Sequence, residues 1–329
     1  MDHMARGERL IFVGGAGRSG TTLLQNILDS HPDIVGGPEF RQIPDIIYLR
    51  NKLHDSIAAG KTVVFNSYDD INTQIYTLIE NLLMPLLKKH NCKFLSEKTP
   101  ANIFVFPELM KLLPGAHFIF MLRDPRANIS SQMVAKKKGK ASKSKRHNGP
   151  SSQIKLSVFD FLTLTMRVKN AILAGLSAST IEPSKVLIVS YEKLVTAPEK
   201  ETKKMCDFLG VEWFPQMLYP SKQQHIGEEA MTVARGNKWF TKENFNRDPD
   251  LTSLNKWKSQ LTSFQKAVIL FFFKDIKELA LNGYDLTAQH FGEKALMAIL
   301  SFFSKIVQWL RKLSKFVAPL KAVRRLGRL

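Results

Sequence analysis

Two stretches of this sequence place phosphate-binding groups where apolar runs end. The first is Gly14-Gly15-Ala16-Gly17-Arg18-Ser19-Gly20-Thr21-Thr22, directly after Leu10–Val13. Glycines let a backbone approach a ligand closely. Backbone N–H groups at a helix start, with the positive helix end behind them, bind phosphate. The spacing from Gly15 to Gly20 matches a nucleotide-hydrolase loop, but Thr21 stands where that loop has its lysine. This speaks against a kinase or ATPase. The second stretch is Arg123-Asp124, directly after the apolar run His117–Leu122. A nucleotide hydrolase would put its magnesium-holding Asp at such a strand end. A cation arriving first suggests a second phosphate instead. The two stretches together predict a nucleotide with phosphates at two separate places.

Apolar strands alternating with helices must position these groups. Arg9–Gly15, Cys92–Leu95, His117–Leu122 and Lys185–Ser190 read as strands. Helical periodicity covers Gly20–Ser30, Ile71–His90 with Pro85 inside, Asn102–Leu113, Gln153–Ala178, Pro198–Leu209 and Thr262–Leu281. A further helix should start at Pro125, a favoured first helical position. The pattern predicts an α/β domain of P-loop-like build, with a mostly parallel sheet flanked by helices. Ligands of such sheets bind at the carboxyl ends of the strands, where both stretches fall. Lys136–Gly149 is basic, with no apolar residue larger than alanine, and reads as a mobile loop.

Formal net charge is +19 over 329 residues, which implies an anionic partner such as a polyphosphorylated cofactor, an acidic peptide or glycan, or phospholipid. The basic segments lack the interleaved aromatics of single-strand binders, so no nucleic acid is expected. The two cysteines, Cys92 and Cys206, lack metal-ligand spacing and fit a reducing compartment. No signal peptide or membrane span is read.

The runs FVGGAGRSGTTLLQNILDSHPDI and FIFMLRDPRANISSQM resemble the 5′-phosphosulfate loop and the 3′-phosphate motif of the sulfotransferase family. In the second, Arg123 is followed eight residues later by Ser131. Tyr191 in SYEKLVTAP and Lys256-Trp257 in LNKWKSQL extend the resemblance, which spans about Leu10 to Leu286 and is nearest to the tyrosylprotein sulfotransferases and their bacterial relatives. It implies a donor, 3′-phosphoadenylyl sulfate, and no metal. Gly17, Arg18, Ser19, Gly20, Thr21 and Thr22 would hold the 5′ end, with Arg18 on the bridging oxygens. Arg123 and Ser131 would clamp the 3′-phosphate, and Tyr191 and Lys256 would complete the nucleotide site. Glu39, in GPEFRQIP, would be the general base, with Arg41 toward the acceptor. Lys98, in SEKTP, would serve the leaving oxygen. Cytosolic sulfotransferases, with a histidine base, resemble the chain less. His31 and His117 read as local and structural. The sequence departs from the family at Gly17, where Pro is frequent, and at Ala135, where the tyrosylprotein branch has a basic residue.

These readings divide the chain into a tail (1–8), a sulfotransferase domain (9–286) and a C-terminal extension (287–329). In the extension Leu296, Ile299, Leu300, Phe303, Ile306, Val307, Leu310 and Leu313 recur at helical spacing opposite Lys294, Lys305, Arg311 and Lys312. Such a basic amphipathic helix would lie on an anionic membrane surface, the alternatives being docking on the domain or a homodimer contact. The acceptor is expected to be a peptide, lipid or glycan hydroxyl. The expected location is cytoplasmic, peripheral on the membrane; a Golgi lumen would require an anchor preceding Met1. Two other readings stand: a small-molecule kinase with a degenerate phosphate loop, and a non-enzymatic membrane-binding protein that keeps a nucleotide fold.

Overall fold

The computed structural model describes residues 5–146, 156–226, 247–287 and 292–299. The chain divides into two compact units, Met1–Trp257 and Lys258–Leu329.

The first unit is built on five strands: β1 (Leu10–Gly15), β2 (Ile34–Gly36), β3 (Phe94–Lys98), β4 (His117–Leu122) and β5 (Val186–Ser190). All pair in parallel in the order β2-β3-β1-β4-β5. Every residue of β1 is buried, as expected of a central parallel strand covered on both faces. On one face Ile11, Val13, Ile119, Met121 and Val189 pack with Leu24, Ile27 and Leu28 of α1 (Thr21–Asp29) and with Met205 and Leu209. On the other, Phe12 stacks on Phe118 and Phe106 meets Phe118 edge-on, with centroids 5.6 and 5.0 Å apart. The sheet, its parallel sense and its flanking helices agree with the sequence reading.

The remaining helices of this unit are α2 (Ile43–Ala58), α3 (Tyr68–His90), α4 (Phe106–Leu112), α5 (Pro125–Arg146), α6 (Val158–Ile181), α7 (Tyr191–Thr196) and α8 (Pro198–Leu209). Capping boxes start two of them: Ser67 with Asp70 opens α3, and Ser157 with Asp160 opens α6. The helix expected over Asn102–Leu113 is split into a 3₁₀ turn, Pro100–Phe104, and α4.

The basic stretch after Lys136 is not a loop as far as Arg146. It continues α5. Lysine and alanine are good helix formers. Lys136 and Lys140, one turn apart, both reach the Asp160 carboxylate, at 2.8 and 2.7 Å. These bonds hold the Asp160 pKa well below the ordinary carboxylate range. Residues 147–149 lie outside the described residues.

Helix α9 (Lys256–Gln260) runs across the unit boundary. The second unit contains α10 (Ser263–Phe273), α11 (Lys277–Leu281) and a helical stretch at 292–299. The predicted amphipathic helix beyond 299 lies outside the described residues. Among the described residues no helix is long and apolar enough to cross a membrane.

Candidate active site

β1 lies between β3 and β4, so the chain next pairs on one side of it and later on the other. The crevice at such a switch point is where open parallel sheets bind ligands. The Gly15–Thr22 loop fills it. Arg18 has φ 68° and Gly20 φ 101°. For a non-glycine residue the left-handed region costs about 1–3 kcal/mol, a cost typical of ligand loops. Helix α1 then starts with no side-chain cap and no acid in its first turn, which leaves its positive end to an anion. A Cβ on Gly20 would lie 2.5 Å from the Tyr191 ring, whereas one on Gly17 would meet nothing within 4 Å.

The two predicted phosphate motifs converge. Arg123 Nη1 donates to the Arg18 carbonyl at 2.9 Å, and Arg18 Nε donates to Ser131 Oγ at 3.4 Å. The Arg123 guanidinium lies 4.2 Å from the centroid of the Tyr191 ring. Its Nη2 donates to the Ser253 carbonyl at 3.2 Å. Burial, then the neighbouring Arg123 charge, lowers the Arg18 pKa. Among the described residues, the buried Ser19 Oγ and Arg123 Nε have no hydrogen-bond partner. A buried polar atom without a partner is costly and calls for an explanation. One such atom stands in each motif, so the residues present fit a ligand with two separated phosphates.

The predicted acid and lysine also meet. Lys98 is the last residue of β3, and its Nζ lies 2.9 Å from Glu39 Oε1. It also donates to Thr22 Oγ1 at 3.5 Å, which joins this pair to the glycine loop. Arg41 holds the other carboxylate oxygen, Glu39 Oε2, at 2.9 Å while its own side chain stays 62% exposed. The cleft beside this pair is lined by Thr22, Gln25, Asn26, Gly37, Lys98 and His225 among others. Lys256 opens α9 and is exposed. Its neighbour Trp257 carries the Arg126 guanidinium 4.2 Å from its ring centroid. Arg126 is in turn gripped by Asp124 at 2.8 Å.

Sequence reading missed three contributors. Gln132 Nε2 donates to the Gly17 carbonyl at 2.9 Å and steadies the loop. The Ser253 carbonyl touches Arg123, which no side-chain pattern could signal. Glu97 is 3% exposed within β3; flanked by Ser96 and Lys98, it carried no burial signal in the sequence. His31 is structural rather than purely local: its Nδ1 accepts from Asp33 N–H at 3.0 Å, and its Nε2 bonds the carbonyl of distant Glu212 at 2.6 Å. His117 packs edge-on against Phe94 and Phe208.

An open parallel sheet with a glycine loop at its switch point and a cation in place of the metal-holding acid fits a nucleotide-dependent transferase. The sequence profile of the Sulfotransferase family matches residues 10–215. The chain belongs to the sulfotransferase family. It is 29% identical over 216 residues to zebrafish (Danio rerio) protein-tyrosine sulfotransferase 1, covering 64% of this chain and 55% of that one. It is 26% identical over 272 residues to protein-tyrosine sulfotransferase A of Caenorhabditis elegans, covering 78% of this chain and 63% of that one. The chain thus spans somewhat over half the length of these relatives. Its fold is similar to the sulfotransferase domain of the curacin biosynthetic pathway (TM-score 0.52, 16% identity, 88% of this chain and 96% of that one). It is also similar to the sulfotransferase domain of the Synechococcus PCC 7002 olefin synthase (TM-score 0.50, 18% identity, 92% and 97%). The reaction of this family is sulfuryl transfer from 3′-phosphoadenylyl sulfate to an acceptor, which displaces the kinase reading.

Proposed function

We propose that this chain sulfates a protein tyrosine hydroxyl, with Glu39 as general base. The observation that carries the reading is the Lys98–Glu39 pair, fastened to the phosphate loop through Thr22. Glu39 takes the proton of the acceptor hydroxyl as its oxygen bonds to sulfur. Arg18 and Lys98 meet the charge left behind when the bond from sulfur to the phosphate oxygen breaks. Ser19, Gly20, Thr21 and Thr22 hold the 5′ end of the donor. Arg123 and Ser131 hold its 3′-phosphate, with Tyr191 beneath the arginine and Lys256 at the rim. The donor supplies an activated sulfuryl group on a phosphate leaving group. A base so placed contributes about 10²–10⁴-fold, and the cations act on charge that develops only in the transition state.

A phenolic acceptor is supported by the named activity of the relatives. Exposed Arg41 beside the base and the lysines of α5 suit an acidic peptide around the tyrosine. Free thiols at Cys92 and Cys206 suit a reducing compartment, and hence a cytoplasmic location. The test is a thermal-shift titration with adenosine 3′,5′-bisphosphate without metal, followed by transfer of labelled sulfate to acidic peptides with Tyr or Phe at one position. Stabilisation and Tyr-dependent labelling are expected. Stabilisation with labelling only of a lipid or a glycan would move the acceptor, and stabilisation only by ATP with magnesium would overturn the reading.

A further inference from the structure

Glu97 is a buried acid that the reaction above does not use. Burying a carboxylate is costly unless it is well hydrogen-bonded, and here it is. Its Oε1 accepts from the Phe40 backbone N–H at 3.0 Å and from the Thr99 hydroxyl at 2.7 Å. Its Oε2 accepts from the Asn102 amide. The Phe40 bond is the informative one. Phe40 lies in the stretch between β2 and α2, outside any helix or strand, so no ladder supplies its N–H with a partner. It also stands between Glu39 and Arg41.

Successive residues of a strand point to opposite faces. Lys98 and Glu97 therefore leave the end of β3 on opposite sides. Lys98 takes the side chain of Glu39, and Glu97 takes the backbone of the next residue. The loop is gripped from both faces of one strand end. The two grips differ in what happens when Glu39 accepts a proton. The ion pair to Lys98 loses its charge, while the bond from Phe40 N–H to Glu97 is untouched.

We propose that Glu97 is a positioning residue for the base: it fixes the Glu39 loop through Phe40 N–H, so that the loop keeps its place when the Glu39–Lys98 pair is neutralised. This rests on the reading of Glu39 as the base. Burial pushes the Glu97 pKa up to about 7, against the hydrogen bonds and the Lys98 charge that lower it. The charged group acting on it is Lys98, its neighbour on the strand; Glu39 and Arg41 flank Phe40 in sequence, with the Glu39 carboxylate on the Lys98 side. A hydrogen bond to a charged acceptor is roughly twice as strong as a neutral one, so the grip weakens as Glu97 takes up a proton.

The experiment is hydrogen exchange of the 37–42 segment across pH, with turnover on an acidic tyrosine peptide, in wild type, Glu97→Ala and Glu97→Gln. Glu97→Gln keeps an acceptor for Phe40. Its new amide can turn toward Asn102 Oδ1, which has no hydrogen-bond partner among the described residues, so this variant is expected to fold. In Glu97→Ala the segment should exchange about tenfold faster or more, the scale of a charge-assisted hydrogen bond, and kcat should fall by a similar factor. Affinity for adenosine 3′,5′-bisphosphate should change less than about twofold. Glu97→Gln should retain most turnover and lose the pH dependence of exchange near 7. Wild-type exchange in Glu97→Ala, with bisphosphate binding intact, would overturn the proposal. If Glu97→Ala does not fold, unchanged pH dependence of exchange in Glu97→Gln would overturn it equally. Exchange needs no acceptor, so it is separable from the reading of the base: turnover surviving Glu39→Gln would remove the base and leave the Glu97 grip standing.

Discussion

Lys98 Nζ and Glu39 Oε1 lie 2.9 Å apart with the lysine side chain 3% and the glutamate 11% exposed. The two groups assigned to opposite ends of the transfer are therefore one largely buried ion pair. Neither ordering comes from the loop or the strand alone, because fifty-nine residues separate them.

This pairing separates two variants at Glu39. Glu39→Gln keeps a hydrogen-bond acceptor for Lys98, and turnover should fall about 10²–10⁴-fold with bisphosphate affinity unchanged. Glu39→Ala strips Lys98 of its carboxylate. It should lose turnover equally and also cost about 3 kcal/mol or more of stability in urea unfolding, the usual consequence of breaking a buried pair from one side.

Ser19 Oγ is buried without a hydrogen-bond partner among the described residues, so it adds nothing to the stability of the fold. Ser19→Ala should leave stability unchanged or raise it by about 1 kcal/mol, because it removes a buried polar atom whose desolvation nothing offsets. It should weaken adenosine 3′,5′-bisphosphate about tenfold or more, as befits a bond to a charged ligand. Calorimetric titration alongside thermal melting checks both halves.

Arg123 is read as the grip on the 3′-phosphate. Arg123→Lys removes the planar fork that now spans Arg18, Ser253 and the Tyr191 face. Affinity for adenosine 3′,5′-bisphosphate should drop about tenfold or more, while affinity for AMP, which lacks that phosphate, should barely move. An equal loss for both ligands would mean that Arg123 serves the loop instead.

Stability and turnover should respond to acid with opposite signs at Glu97. Its folded pKa is raised from 4.5 to about 7, so between those values the native state holds a proton that the unfolded chain releases. The contribution of Glu97 to stability is fully present below about pH 4.5 and is lost as pH rises through about 7. Turnover should instead decline as pH falls through 7. Urea melts of wild type and Glu97→Gln across this window should differ in slope, the variant being flatter.

Much of this was legible before any coordinates. The continuous apolar runs at His117–Leu122 and Leu10–Gly15 announced buried parallel strands, and the glycine loop between strand and helix announced the anion site. Strand β2 was missed, since three residues carry too little pattern. Helix α2 was missed although Ile43, Ile46 and Ile47 are spaced for one face and are buried. The α5 extension was misread because composition suggested a solvated loop; the deciding partner, Asp160, lies twenty residues from Lys140. Roles at Glu39 and Lys98 came from family resemblance. That the two touch, and that Glu97 backs them from behind the strand, depends on which strands are neighbours, and spacing along a chain does not encode that.

The close packing of Gly20 on Tyr191 sets where this loop can vary over evolutionary time. A methyl group on Gly20 would strike a ring that supports the arginine of the other phosphate motif, so drift at that position is closed by a residue encoded 171 positions away. A Cβ at Gly17, three residues earlier, would meet no described atom within 4 Å. A change at 20 would first need Tyr191 to yield, whereas at 17 no described side chain stands in the way and the limit is the donor that this loop is read to hold.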